Sequence, residues 1–452
     1  MEFRLIKKLK DRGRWRIFKL KLIDARLYFV SIFVGLLTGL IAVPYHYLLQ
    51  FFFNLRHDFF DSHPKWYWYL PLFLLMWGIL IFVSWLVKKM PLITGGGIPQ
   101  TRGVINGRVA YKHPFIEVIA KFVGGILALS TGLSLGREGP SVQIGSYVGC
   151  LVSKWGRVLA GERKQLLAAG AGAGLAAAFA APLASSLLVI ESIERFDAPK
   201  TAITTLLAGV VAGGVASWLF PINPYFQIDA IVPGMTFWSQ VKLFLLLAAV
   251  VSVFGKFFSV TTLQVKHIYP AIKHPEYVKM LYLLFIAYLI SMAEVNLTGG
   301  GEQFLLAQAM HPDTHILWIV GMMLLHLVFS IFSFSSGLPG GNFIPTLVTG
   351  GLLGQIVALI MVRQGLIAYE NISYIMLICM SAFLVAVVRT PLTAIVLITE
   401  ITGHLEVFYP SIVVGGLTYY FTEMLQIKPL NVTLYEDMIH SPAFKEEARY
   451  TL

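Results

Sequence analysis

Three stretches of the 452-residue chain place proline shortly after a cluster of glycines: Gly95-Gly96-Gly97-Ile98-Pro99, Gly136-Arg137-Glu138-Gly139-Pro140 and Gly340-Gly341-Asn342-Phe343-Ile344-Pro345. Such patterns start helices, because proline in the first turn needs no N–H partner and glycine lets another group approach the backbone. The first turn of a helix presents N–H groups without partners and about half a unit of positive charge. Three such starts can hold a dehydrated halide or nitrate without a full countercharge. The middle stretch adds a carboxylate, Glu138, at such a helix start.

A second pattern overlaps the first. Gly132-Leu133-Ser134-Leu135-Gly136 matches the G-x-S-x-G nucleophile elbow, which requires a strand before the serine and a helix after it. No such setting is present. An intramembrane serine protease could pair Ser134 with a base such as His326, but no acid partner or oxyanion donor accompanies them. No catalytic residue is assigned. The eleven histidines lack HExxH or paired spacing, and Cys150 and Cys379 form no CxxC, so no metal ligand is assigned. Nor is a nucleotide or organic cofactor implied.

The elements that carry these motifs belong to a chain that is 57% hydrophobic and 13% charged, with mean hydropathy +0.73. A soluble domain carries roughly 25% charged residues, so the fold class is an all-α polytopic membrane protein. Apolar runs near 27–53, 67–87, 114–135, 202–220, 236–261, 278–296, 313–334 and 409–426 meet the ~20 residues needed to span a bilayer core. The stretches 139–151, 182–193, 341–352 and 391–402 predict helices of roughly 18 Å that stop partway across. Pro182-Leu183 followed by Leu188 and Glu191 repeats as Pro391-Leu392 followed by Leu397 and Glu400 at one constant offset. Discontinuous helices at matching places in two halves point to a site near the membrane midplane. A sodium-coupled symporter of organic substrates would also use them, but no other intramembrane polar cluster of substrate size is evident. The run Ala168 to Gly174, all alanine and glycine, predicts close helix packing or a subunit contact.

The net charge of +11 is concentrated at the start, where residues 1–26 hold ten Lys or Arg against three acids. The positive-inside rule puts this end in the cytoplasm, where it can lie on anionic lipid headgroups. No aromatic platform accompanies the charge, so nucleic acid is not an expected partner. The apolar run after it is too long for a signal peptide. The organisation read from the sequence is a basic segment over 1–26, a membrane domain over 27–430 with halves near 27–220 and 236–430, and a short C-terminal helix and tail over 431–452. No folded cytosolic domain is expected after Pro429.

The glycine-rich motifs, the two Pro-Leu…Glu segments and Ile427-Lys428-Pro429-Leu430 together resemble, in order and over nearly the whole chain, the CLC family of chloride channels and chloride/proton exchangers, of the prokaryotic type without CBS domains. The resemblance implies an inverted repeat of tilted and discontinuous helices, assembled as a homodimer in the cell membrane with one anion pathway per subunit. It implies Glu138 as outer gate and proton acceptor. The anion would be bound by the backbone N–H groups of Asn342 and Phe343, with Ile344 and Gly139 near the outer position. Three residues depart from the family pattern. Gly96 stands where chloride-selective members have serine. Asn431 stands where tyrosine usually follows Lys-Pro-Leu, with Tyr435 one helical turn later as a substitute. Ser192 stands where many exchangers have their inner proton-transfer glutamate, while the adjacent Glu191 is kept. Glu191 and Ser192 mark the expected inner proton route. Exchange of small inorganic anions for protons is the expected activity, with a passive anion channel as the alternative. The fluoride-exporting branch is not expected, because its signature resembles Gly-Arg-Glu-Gly-Thr and this chain has Pro140.

Overall fold

Seventeen α-helices follow one another among the described residues. The computed structural model describes residues 2–62, 65–156, 158–194, 199–219, 226, 228, 230–312 and 315–441, with side chains from residue 25 onward except at 194. The first helices are α1 (Glu2–Asp61), α2 (Tyr69–Lys89), α3 (Ile98–Ile105), α4 (Pro114–Ser130), α5 (Glu138–Trp155) and α6 (Ala160–Phe179). Next come α7 (Pro182–Leu188), a π-helical turn over Val189–Glu194, α8 (Pro199–Leu219), α9 (Phe237–Ala271) and α10 (Glu276–Ala293). The chain continues with α11 (Glu302–Met310), α12 (Ile316–Ser335), α13 (Phe343–Arg363), α14 (Ile372–Val388), α15 (Pro391–Thr402), α16 (Phe408–Met424) and α17 (Leu430–His440). Among the described residues, eight helices are long and apolar enough to cross a membrane. The only β pairing among the described residues is an isolated antiparallel bridge between Gly136 and Gly341.

The order of elements repeats. A short helix after a triple glycine, a longer helix, a helix starting at a glycine-rich motif, a buried helix and a Pro-Leu helix occur as α3 to α7 and again as α11 to α15. Contacts between the halves are reciprocal, as a two-fold relation requires. Glu191 of the first half accepts the N–H groups of Leu392 and Thr393 at the start of α15, at 3.1 and 2.8 Å. Glu400 of the second half accepts those of Leu183 and Ala184 at the start of α7, also at 3.1 and 2.8 Å. Each carboxylate satisfies the N–H groups that the leading proline leaves exposed in the first turn.

The structure corrects several expected spans. The segments at 139–151 and 341–352 are not short: α5 has 18 residues and α13 has 21, about 27 and 32 Å at 1.5 Å per residue. What sets them apart is a buried start, Glu138 being 0% and Phe343 1% exposed. Polar residues just past Leu151 and Leu352 ended the apparent apolar runs. Two of them are absorbed by neighbouring groups, Ser153 Oγ donating to Cys150 O at 2.7 Å and Gln355 Nε2 to Gln308 Oε1 at 2.8 Å. One buried span, that of α14, was not expected; α14 is uncharged and its span is wholly enclosed by protein. Conversely, α4 and α16 each have 17 residues, shorter than their apolar runs implied, and α1 begins well before residue 27 and ends at Asp61. The side chains of the basic segment up to residue 24, and the tail beyond 441, lie outside the described residues.

The alanine–glycine run of α6 packs inside the chain, against α5, α8 and α1. A Cβ at Gly145 on α5 would strike the backbone of Gly170 on α6, and one at Gly170 would strike Gly145. Backbones this close are built from small residues, which lets α5 be fixed along its length.

Candidate anion pathway

Glycine-rich segments from both halves are laced together around Glu138. Gly136 N donates to Gly341 O at 2.8 Å and Gly341 N to Gly136 O at 2.7 Å. Gly95 N donates to Gly337 O and Gly340 N to Gly95 O, both at 3.1 Å. These bonds bring the starts of α3, α5 and α13 to one point. The Glu138 carboxylate folds back over Gly136 and Gly341, and a Cβ at either would collide with it.

Glu138 lies on the first turn of α13. Its Oε1 accepts from Phe343 N at 2.6 Å and more weakly from Ile344 N at 3.4 Å. Its Oε2 has no hydrogen-bond partner among the described residues. A negative charge therefore sits where backbone N–H groups and the helix dipole favour an anion. The surrounding cavity is about 20 Å³, room for a water-sized or small ionic species. Organic substrates fill roughly 300 Å³ or more.

Of the residues singled out from the sequence, Gly95, Gly96, Ile98, Pro99, Glu138, Gly139, Gly341, Asn342, Phe343 and Asn431 all line this cavity. Ile344 reaches it through its N–H. Gly97, Gly136, Arg137, Pro140 and Pro345 stand behind the lining and shape the three helix starts. Gly97, at φ +85°, turns the chain into α3 directly beneath Gln143, whose amide donates to Leu92 O at 2.7 Å.

Four of the singled-out residues lie away from the cavity lining. Tyr435 does not line the cavity; its ring receives the Arg102 guanidinium at 4.7 Å, and Asn431 and Leu434 take the facing positions. Both carboxylate oxygens of Glu191 are occupied by α15, with Thr393 Oγ1 adding a third bond at 2.6 Å. Ser192 is buried in the π-helical turn beside α3. Ser134 bonds Ser330 Oγ at 2.6 Å, and Ser330 stands 3.4 Å from His326 Nε2. Ser134 is fully buried and contacts a neighbouring helix, not a base poised against a substrate.

Two lysines were missed. Lys121 on α4, 0% exposed, donates to Ile93 O at 2.8 Å and Gly95 O at 2.6 Å, pinning the loop that enters α3. Lys266 on α9 lines the cavity itself. For Lys121 the available signal was a charge inside the apolar run 114–135, since such residues are costly and mark function or fixed partners; Lys266 falls past the end of the run 236–261 and carried no such signal.

Residues 78–423 match the family model described as voltage gated chloride channel. The H(+)/Cl(−) exchange transporter ClcA of Vibrio cholerae serotype O1 is 31% identical over 441 residues, covering 91% of this chain and 88% of the relative. ClcA of Klebsiella pneumoniae subsp. pneumoniae is 29% identical over 436 residues, 93% of this chain and 89% of the relative. Among solved structures, a slow cyanobacterial Cl−/H+ antiporter aligns with TM-score 0.83 at 26% identity, over 92% of this chain and 99% of the other. A CLC-type fluoride/proton antiporter aligns with TM-score 0.74 at 21% identity, over 90% and 98%, which bears on the fold alone.

Proposed function

Because the chain belongs to the voltage gated chloride channel family, we propose that it exchanges small inorganic anions of the chloride type for protons across a membrane, with Glu138 as gate and proton acceptor. It is a multi-span transporter and not an enzyme. The observation that carries the reading is the Glu138 carboxylate bonded through Oε1 to the N–H groups that open α13, inside a cavity of ionic size. Protonation removes the charge that holds Glu138 against those donors, and an anion then takes them. Deprotonation reverses the exchange, so one site alternates between two negative occupants. Asn342, Phe343, Ile344, Gly139, Gly96 and Asn431 form the anion position in this reading, and Gly95, Gly97, Ile98, Pro99, Gly136, Arg137, Pro140, Gly341 and Pro345 hold its geometry. The molecule acts as a homodimer in lipid, with the basic N-terminal segment on the cytoplasmic side.

The inner proton route runs past Ser192. A serine cannot hold the proton near neutral pH, but it can order a water chain. Glu191 is the other candidate carrier, and its bonds to α15 favour water over it. The same bonds favour a second reading, a passive anion channel, if water does not complete the route. Proteoliposomes carrying an imposed chloride gradient, no initial pH difference and a voltage clamped with valinomycin separate the two. Exchange drives protons uphill in the unmodified protein; anion flux without proton movement makes it a channel.

A further inference from the structure

Two buried amides and an ammonium converge on the cavity that holds Glu138. Asn342 and Asn431 are each 5% exposed, and the Nδ2 group of each has no hydrogen-bond partner among the described residues. Lys266 lines the same cavity from α9. Its ammonium stands 5.6 Å from the centre of the Phe334 ring and makes no hydrogen bond or ion pair with a described residue. Asp437, the acid whose charge reaches it, is engaged with His267 at 3.2 Å. Unpaired donors in a protein interior are costly, and a lysine within a membrane span is more so. A small anion offsets all three at once.

We propose that Lys266 is an anion-binding residue of this pathway, its ammonium acting with the side-chain amides of Asn342 and Asn431 on a small monovalent anion. This deepens the exchange reading above and rests on it. The assignment accounts for how a site with Gly96 and Asn431 in place of hydroxyl-bearing residues still holds its ion. Backbone N–H groups supply partial charge from the α13 side, while Lys266 supplies a full one from α9. The ammonium is a compact point charge without a planar fork, so it attracts a spherical halide and a planar nitrate alike. The cavity, about 20 Å³, limits the ligand to that size.

Chloride binding to the purified protein, measured by titration calorimetry, tests the assignment with three variants. Lys266→Gln removes the charge and should weaken chloride binding about tenfold, the usual weight of one charge-assisted bond. Lys266→Arg keeps the charge and should bind within about threefold of the unmodified protein. Lys266→Cys should bind weakly, then recover after reaction with a methanethiosulfonate bearing an ethylammonium group and not after reaction with its sulfonate counterpart. The native Cys150 and Cys379 are buried, and the unmodified protein given the same reagents is the control. Recovery by charge on an already folded protein separates binding from a packing role, even if Lys266→Gln folds poorly. Unchanged affinity in Lys266→Gln, or failure of both arginine and the ethylammonium adduct to restore binding, overturns the proposal. If the unmodified protein moves no anion in proteoliposomes, the exchange reading fails instead; anion flux with a charge-insensitive affinity sinks only the role of Lys266.

Discussion

The molecule uses one device three times, with two outcomes. Glu191, Glu400 and Glu138 each bring a carboxylate from one half onto the first turn of a helix in the other half. At α15 and α7 both oxygens are satisfied, by bonds of 2.8 and 3.1 Å, on half-buried side chains. At α13 one oxygen takes both N–H groups, at 2.6 and 3.4 Å, while the other is buried without a partner among the described residues. A fully bonded carboxylate is a fixture, because removing it strands two backbone donors and an ion pair of charge and dipole. A half-bonded one is exchangeable, because an unsatisfied buried acceptor costs about 1–3 kcal/mol and a proton or a competing anion relieves it. If Glu138 is the gate proposed above, the difference between gate and cap lies in the second oxygen, not in the type of residue.

The largest expected effect follows from removing the exchangeable charge. Glu138→Gln keeps the shape but neither binds nor releases a proton in the working range, so proton movement should fall to background. Anion flux should persist and lose its dependence on pH, measured in the same vesicles across acid and neutral conditions. Proton movement surviving in this variant would break the contrast between gate and cap.

Glu191→Gln and Glu400→Gln sharpen it. Each leaves one acceptor where two stood, so each should cost about 1 kcal/mol of stability, read as a lowered Tm in detergent. The ratio of protons to anions should be unchanged in both. The pseudo-symmetry supplies the control: a variant at Glu191 that loses coupling, beside a Glu400 variant that keeps it, would return Glu191 to the proton route.

Legibility in the sequence followed the same division. The three glycine-rich starts and the Pro-Leu…Glu repeat were readable, because special backbone geometry restricts residue choice and leaves a spaced signature. Their meeting at one cavity was implied by order alone. The partners of Glu191 were not readable, since a carboxylate kept for capping and one kept for proton transfer look alike until the helix 200 positions away is placed beside it. The lengths of α5 and α13 were underestimated because the expected stretches ended at Leu151 and Leu352, just ahead of Ser153 and Lys154 on α5 and of Gln355 on α13, on helices that are buried on nearly every side. A polar residue ends an apolar run in the sequence but need not end a helix whose neighbours are mostly protein. Lys266 was hidden for the opposite reason, being one charge near the end of a 35-residue helix, where a lysine usually reaches for the interface.

The smallest effect concerns selectivity and rests on the close pairing of Gly96 with Gly139, whose Cβ would strike the Gly96 backbone. The reverse substitution has room. A Cβ on Gly96 would lie 3.5 Å from Gly341 Cα and 3.7 Å from Gly340 O, ordinary contacts that a serine meets without moving the backbone. Its hydroxyl would then enter the cavity beside Glu138, adding a directional donor to a site whose other donors are backbone N–H groups, amides and the proposed Lys266 ammonium. A site of backbone donors discriminates little among chloride, bromide and nitrate, because several N–H groups spread along a helix start accommodate a sphere or a plane. One fixed hydroxyl favours the sphere, which can approach it from any side. Gly96→Ser should therefore raise the ratio of chloride to nitrate flux roughly threefold, the effect of a hydrogen bond worth somewhat under 1 kcal/mol, with Tm unchanged. An unmoved ratio in a stably folded Gly96→Ser protein would mean that selection is made elsewhere along the pathway, and strong chloride preference in the unmodified protein would mean that backbone donors alone already discriminate.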